Sequence, residues 1–290
     1  MGSFKTICAY LLYTLVVVAL LMYLQFPAPA VKAYLETRIS TIDPGLTLTL
    51  DTISPTVLPP GLSVTNANVN RNEDLLVRID RGSISPVLLS LFRKNKEVSF
   101  TLDLGGGEIE GQALLDRNGA GDQVQVAVDI SQVRLEQIDA VKTNDTFSLA
   151  GAGEGQVTYD GRLTGTGKTN GTFTLSDLQI TLHQDLFGID ELLLGQAVCT
   201  FSGNNRVLRV KSLTFDGPMA EGKITGSIEL RKPIENSQLN LTVNAKPRPE
   251  LIARLQETIP QGFIDTRSLG TRGMNFRISG SVESPDVSLR

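Results

Sequence analysis

The chain has 290 residues, of which 41% are hydrophobic, 20% charged and only 6% aromatic, with 27 Gly and no Trp. A formal net charge of −4 argues against nucleic-acid binding, which needs a basic face. One His (His183) and two Cys (Cys8 and Cys199) argue against a side-chain zinc or haem site. The apolar residues are too many and too evenly spread for a disordered chain, so the composition leaves a folded, Gly-rich, β-rich protein.

The N-terminus departs from that average. Residues 6–31 carry no charge and are bracketed by Lys5 and Lys32. Within them Ile7 to Phe26 is a 20-residue apolar run, long enough as a helix to cross a hydrocarbon core of about 30 Å. Its Leu, Ile, Val and Phe residues contribute roughly −3 to −7 kcal/mol on an insertion scale. Ile7, Leu11, Leu12, Leu15, Val18, Leu21 and Phe26 are the expected membrane-anchor positions. Tyr10, Tyr23 and Tyr34 are the expected interfacial ones, where amphipathic rings are favoured. Ala28-Pro29-Ala30 has the form of a cleavage site, which makes a removed signal peptide the competing reading. The run exceeds the usual apolar region of a signal peptide and only Lys5 precedes it, so an uncleaved anchor is preferred. Charge counting leaves orientation open, because Lys5 lies before the run and Lys32 and Arg38 after it. Cys8 in the anchor and Cys199 in a strand-like run do not suit an intrachain disulfide.

Beyond the anchor, Val31, Tyr34, Leu35, Arg38 and Ile39 recur at helical spacing, and a short membrane-proximal helix is expected. The period then becomes two. Leu46, Leu48 and Leu50 alternate with Thr47, Thr49 and Asp51. The same habit recurs in Val98 to Leu104, Val124 to Ile130, Phe173 to Leu175, Val207 to Leu213, Ile224 to Leu230, Leu239 to Val243 and Phe276 to Val282. At least ten short strands are expected in a mainly-β, elongated, curved, mostly antiparallel sheet with two or three short helices. Asn118-Gly119, Gly203-Asn204-Asn205 and Asp216-Gly217-Pro218 are the expected turns. Pro86 to Phe92 offers Val87, Leu88, Leu91 and Phe92 for burial, and Pro249 to Ile259 offers Leu251, Ile252, Leu255 and Ile259. Both pieces are expected to plug an end or cover an edge of the sheet. The expected division is an N-terminal segment 1–6, a transmembrane helix 7–26, a membrane-proximal helix 27–41 and a β-rich domain 42–290. An apolar sheet face needs a cover, and closure of the sheet over its own aliphatic face is the simpler expectation, with an open lined groove as the other.

Chemical motifs are sparse. The glycines at 151, 153 and 155, and those at 165 and 167, precede strand-like rather than helical residues, and Arg162 stands where a phosphate loop needs its first Gly; no nucleotide is expected. Asp116 to Asp122 has a faint calcium-loop look but lacks its fifth-position ligand, and Ala127 stands where the bidentate Glu belongs. Glu108 and Glu110 share a strand face, where alternating acids ordinarily meet water. His183 has no nucleophile motif near it. No catalytic residue, cofactor site or metal site is assigned, and the chain is not expected to be an enzyme.

The layout resembles the type II secretion system protein N family of bacteria. The resemblance lies in the single anchor, the helix at Ala33-Tyr34-Leu35, the Ile84-Ser85-Pro86-Val87-Leu88-Leu89-Ser90-Leu91 step, and Leu213-Thr214-Phe215-Asp216-Gly217 leading to Glu221-Gly222-Lys223-Ile224-Thr225-Gly226-Ser227-Ile228. The closing stretch from Phe276 to Val287 is similar to one shared with AsmA-like envelope proteins. This resemblance implies a single-pass bacterial inner-membrane protein with a cytoplasmic N-terminus 1–6 and its β domain in the periplasm, acting as an accessory or scaffold part of the type II protein secretion machinery through contacts with other inner-membrane or periplasmic components. The AsmA-like relatives imply an alternative, in which an apolar β groove carries lipid.

Overall fold

The computed structural model describes residues 7, 9, 10, 13, 14, 17, 20, 21, 23–42, 45–71, 74–116, 123–142, 147–162, 167–186, 189–232, 234–258, 273–282 and 284–289. One antiparallel sheet of 14 strands makes up the body, and every strand pairs with its neighbour in sequence. The strands are β1 (Leu46–Val57), β2 (Pro60–Arg71), β3 (Asp74–Pro86), β4 (Lys96–Leu104), β5 (Gly107–Asp116), β6 (Gln123–Arg134) and β7 (Phe147–Arg162), followed by β8 (Lys168–Leu186), β9 (Ile189–Asn204), β10 (Val207–Asp216), β11 (Ala220–Glu229), β12 (Gln238–Pro247), β13 (Met274–Ser281) and β14 (Pro285–Leu289). Local chemistry sets this up-and-down order. Between β4 and β5 only Gly105 and Gly106 intervene, at φ +57° and +69°, the pair of left-handed residues that matches a tight turn to strand twist. Between β9 and β10 the Asn204 side-chain oxygen accepts the Arg206 and Val207 N–H groups, both at 2.9 Å. The Asp216-Gly217-Pro218 turn joins β10 to β11 as expected. Asn118-Gly119 lies outside the described residues.

The sheet is curved but does not close on itself: β1 and β14 are its two edges. The accessible surface is 18,781 Å² for 31.3 kDa, against about 12,000 Å² for a compact chain of that mass. One sheet without a second strand layer contributes to this excess.

The first strand edge is lined by helix α1 (Ala28–Ile42), one residue displaced from the expected span. Glu36 Oε1 accepts the Leu50 N–H at 3.1 Å. Val31, Leu35 and Ile39 are half-buried, whereas Tyr34 and Arg38 turn outward and pair with each other: Arg38 Nε donates to the Tyr34 hydroxyl at 3.1 Å, with the guanidinium 5.4 Å from the ring centre. Of the expected anchor positions, Leu11, Leu12, Leu15 and Val18 lie outside the described residues. Ile7, Tyr10, Leu21 and Tyr23 are helical and exposed, and Phe26 sits in the link before α1. Among the described residues no helix is long and apolar enough to cross a membrane.

The remaining helical pieces are short: a 3-10 turn at Leu88–Phe92, a second at Leu135–Gln137 running into α2 (Asp139–Lys142), a third at Ile234–Asn236, and α3 (Pro249–Thr258). Helix α3 caps as expected. Its Leu251 joins Ile189, Ala197, Phe215, Met219 and Ala220 in the main buried cluster, with Leu178, Leu192, Leu194 and Leu213 against it. Ile259 lies outside the described residues. Met219 is wholly buried and bonds twice to β9, donating its N–H to the Leu193 carbonyl at 3.3 Å and accepting the Leu193 N–H at its sulfur at 3.2 Å. The Leu88–Phe92 turn does not plug anything. Leu88, Leu89, Leu91 and Phe92 are exposed, which corrects the expectation that they cover an edge.

A line of irregularities separates the capped end from the rest of the sheet. Register shifts fall between Ile130 and Val133, Ala150 and Ala152, and Leu175 and Leu178 on successive strands. Gln132, Gly151, Asp177 and Gly195 take positive φ along this line. Bulges aligned across neighbouring strands add local twist and bend the sheet there.

Candidate functional site

Residues directly opposite in an antiparallel pair lie on the same face, so the register shows what each face carries. One row crosses nine strands as Ile53, Val64, Gly82, Leu102, Ile109, Ile130, Gly155, Phe173 and Cys199. The next row on that face is Pro55, Leu62, Ile84, Phe100, Gly111, Val128, Val157, Gly171 and Phe201. Neither row contains a charge or an amide side chain. The row between them, on the other face, is Ser54, Ser63, Ser83, Thr101, Glu110, Asp129, Gln156, Thr172 and Thr200. Every member of it is polar. These neighbouring rows thus differ in character between the two faces.

Aromatic rings are laid flat on this apolar face. A methyl group added at Gly111 would meet the Phe100 ring at 2.2 Å, one at Gly171 the Phe201 ring at 2.4 Å, and one at Gly222 the Phe215 ring at 2.4 Å. Each ring covers a glycine on the paired strand and fills the space that a side chain there would take. Phe173 and Phe201 stack along the surface, with centroids 6.3 Å apart and planes at 20°. Folded down in this way, the rings keep the surface low and continuous. Cys199 lies in the same sheet of apolar groups, and burial pushes its thiol pKa up, which makes it a poor nucleophile at neutral pH.

Across β1 to β9, at the usual strand spacing, the two rows and their neighbours form an apolar surface of about 40 by 20 Å, or roughly 800 Å². The largest apolar patch on a typical monomer is about 300–600 Å². Among the described residues no second sheet packs over it, and the short helix α2 reaches both β3 and β7, which lie four strands apart. Most of its side chains are half-buried, while Ile53 is buried and Ile84 exposed, so those left partly open each forgo on the order of 1 kcal/mol that full cover would supply.

Among the described residues the polar face carries shallow hollows. A depression of about 500 Å³ includes Gln112, Gln125, Thr158, Asp160, Lys168 and Asn170, and within it Asp160 already accepts the side-chain N–H groups of Gln123 and Gln125 at 3.1 and 3.3 Å. Glu108 and Glu110 do share this face, both exposed, opposite Asp103 and Thr101. His183 is exposed on β8 with Nε2 2.7 Å from Ser148 Oγ. The glycines at 151, 153 and 155 lie within β7; Gly165 and residues 117–122 of the calcium-like loop lie outside the described residues. Among the described residues no three His, Cys, Asp or Glu side chains are grouped to hold a metal ion.

Charge is organised where α3 meets the sheet. Arg248 bridges Asp216 and Glu221, and Lys246 stands 3.6 Å from Glu221. The Arg248 hydrogen bond first, and then the Lys246 charge, hold the Glu221 carboxyl below its usual range. A lowered folded-state pKa contributes stability above the unfolded carboxylate range, and that contribution is lost as pH falls through the folded value. The melting-temperature difference between the native chain and Glu221→Gln is therefore expected to hold above the ordinary glutamate range of about pH 4–5 and to shrink as pH falls below it. Thermal melts followed by circular dichroism check this.

No family model matches the chain, and no curated protein or solved structure matches it. The functional reading therefore rests on the two faces of the sheet. Period two indicated an apolar face, but the flat seating of Phe100 on Gly111 was missed. Its signal was present, because the Gly105-Gly106 turn fixes the register that sets those two residues opposite each other.

Proposed function

We propose that this chain is a membrane-tethered bacterial envelope protein whose aliphatic sheet face shelters the acyl chains of lipids. One observation carries the reading: two neighbouring rows of nine residues each, without a charge or an amide, cross a sheet whose intervening row on the other face is polar at every position. Acyl chains suit such a surface because they require contact area and no hydrogen-bonding partner, and burying apolar area is worth about 25 cal/mol per Å². The face supplies binding, and no catalytic role is assigned to it. The N-terminal apolar run from Ile7 to Phe26 supplies the tether, inserted once with the β domain on the periplasmic side.

A second reading, accessory or scaffold component of the type II protein secretion machinery, draws on the resemblance in the sequence and on one structural feature. Strand β14 has no described element on its outer side, so its backbone is free to take a strand from another envelope component. The two readings are compatible, since a lipid-bearing sheet can also stand within a secretion complex.

Purification of the full chain in a detergent that retains bound lipid, followed by lipid extraction and mass spectrometry, tests the first reading. Phospholipid at one or more molecules per chain is expected, and a lipid-free folded protein would overturn it. Deleting the gene and measuring exoprotein release tests the second: reduced release is expected, and unchanged release would remove it.

A further inference from the structure

The connection between β3 and β4 is built inside out. In Leu88-Leu89-Ser90-Leu91-Phe92 the one polar side chain is buried, Ser90 at 2% exposure, while Leu88, Leu89, Leu91 and Phe92 are 51, 70, 49 and 91% exposed. Hydrogen bonds enforce this. Ser90 Oγ donates to the Val87 carbonyl at 2.7 Å and accepts the Glu97 N–H at 3.0 Å. Lys96 Nζ donates to the Leu91 and Arg93 carbonyls, both at 2.8 Å. A turn clamped from within and from behind holds its apolar side chains outward at no further ordering cost.

The surroundings extend this tip. Leu62 pairs with Ile84, so the β1–β2 turn stands beside it and adds Val57 at 51% and Leu58 at 91% exposure. The charges between Gly82 and Lys96 are Arg93, Lys94 and Lys96, all positive, and Thr52 to Asn70 carries none. Helix α1 ends at Ile42, four residues before β1 begins at Leu46, and its Glu36 meets Leu50. It therefore runs back along β1, and its Ala28 end, where the N-terminal apolar run joins, points toward the end of the strand that carries Val57.

From this we propose that the Val57-Leu58 turn and the Leu88–Phe92 turn form a second membrane contact, dipping into the same bilayer that holds the N-terminal run, with Arg93 and Lys94 at anionic headgroups. Exposed aliphatic and aromatic groups with a positive collar match the apolar boundary and the negative surface of such a leaflet. The contact brings the β1–β4 end of the aliphatic face to the membrane surface. It rests on the membrane-tether reading for the identity of the bilayer alone; the tip itself is independent of whether the face carries lipid.

The chain has no Trp, so a single introduced one is an unambiguous probe. Phe92→Trp, made in the full chain and reconstituted in vesicles containing phosphatidylglycerol and lipids brominated on the upper acyl chain, is expected to emit at shorter wavelength and to be quenched. Gln125→Trp on the polar face should emit as in water and stay unquenched. Adding Leu89→Asp to Phe92→Trp should lower the ratio of docked to undocked tip about tenfold or more, with an unchanged circular dichroism spectrum because the side chain is exposed. Omitting phosphatidylglycerol should weaken quenching. Unquenched, water-like emission from position 92 in vesicles where Tyr23→Trp is quenched would overturn the tip contact and leave the tether intact. Failure at both positions would overturn both. Shielding of position 92 that appears only with another protein bound would also overturn it and make the tip a protein contact.

Discussion

Replacing Met219 with alanine is expected to lower the unfolding free energy by about 2–5 kcal/mol, the range for emptying a closed core site, and to lower the melting temperature by roughly 5–15 °C. Among the described residues Met219 is the largest side chain with no exposure at all, and the variant also loses the sulfur that accepts the Leu193 N–H. The surrounding groups are held on three sides by β9, by the β10–β11 turn and by α3, so they cannot relax far into the gap. Val126→Ala on the open face is the comparison. Val126 is half-buried, opposite Ala113 and Tyr159, and the loss there should be about 0.5–1 kcal/mol. Calorimetric or circular dichroism melts of the two variants check both values. Equal losses would mean that the open face is packed as tightly as the capped end, contrary to a single layer.

Placing aspartate at both Val128 and Val157 is expected to reduce co-purifying lipid more than tenfold. These residues face each other at the middle of the second apolar row. A carboxylate there keeps its water, and an acyl chain laid over it would have to strip that water at a cost of several kcal/mol; each 1.4 kcal/mol is about a factor of ten in binding. The fold should survive, because no second sheet packs over the face and the two like charges cost each other about 0.2–1 kcal/mol. Thr158→Asp, one residue along β7 on the opposite face, should leave the lipid content unchanged. Lipid quantification by mass spectrometry with parallel melts separates the outcomes. Unchanged lipid in the double variant would remove the face as the binding surface, and wholesale unfolding would show it to be an interior.

The division into faces was legible because alternation is a local property. Val124, Val126, Val128 and Ile130 reveal a strand and its apolar side without reference to any other residue. What covers that side is not local. The same alternation fits a sheet closed on itself and an open layer, and only the pairing of β1 with β2 alone and of β14 with β13 alone separates them. Helical periodicity failed in α1 for a related reason: Tyr34 and Arg38 fall on the apolar side by spacing, yet their mutual contact lets both stay outside. The Leu88–Phe92 turn reads as buried by composition, and the clamp that reverses it depends on the Glu97 backbone, seven residues from Ser90. The bulge line was hidden as well, since Gln132 and Asp177 hold positive φ without being glycine.

The most direct measurement of whether acyl chains occupy the aliphatic face compares two adjacent residues of β7. A photo-reactive benzoylphenylalanine is placed at Val157, in the apolar row, or at Gln156, one residue away on the polar face, and the chain is irradiated in living cells. Mass spectrometry of the purified protein is expected to find a phospholipid adduct at position 157 and none at position 156. Adducts at 157 that consist only of protein, or equal lipid labelling at both positions, would contradict a lipid-bearing face.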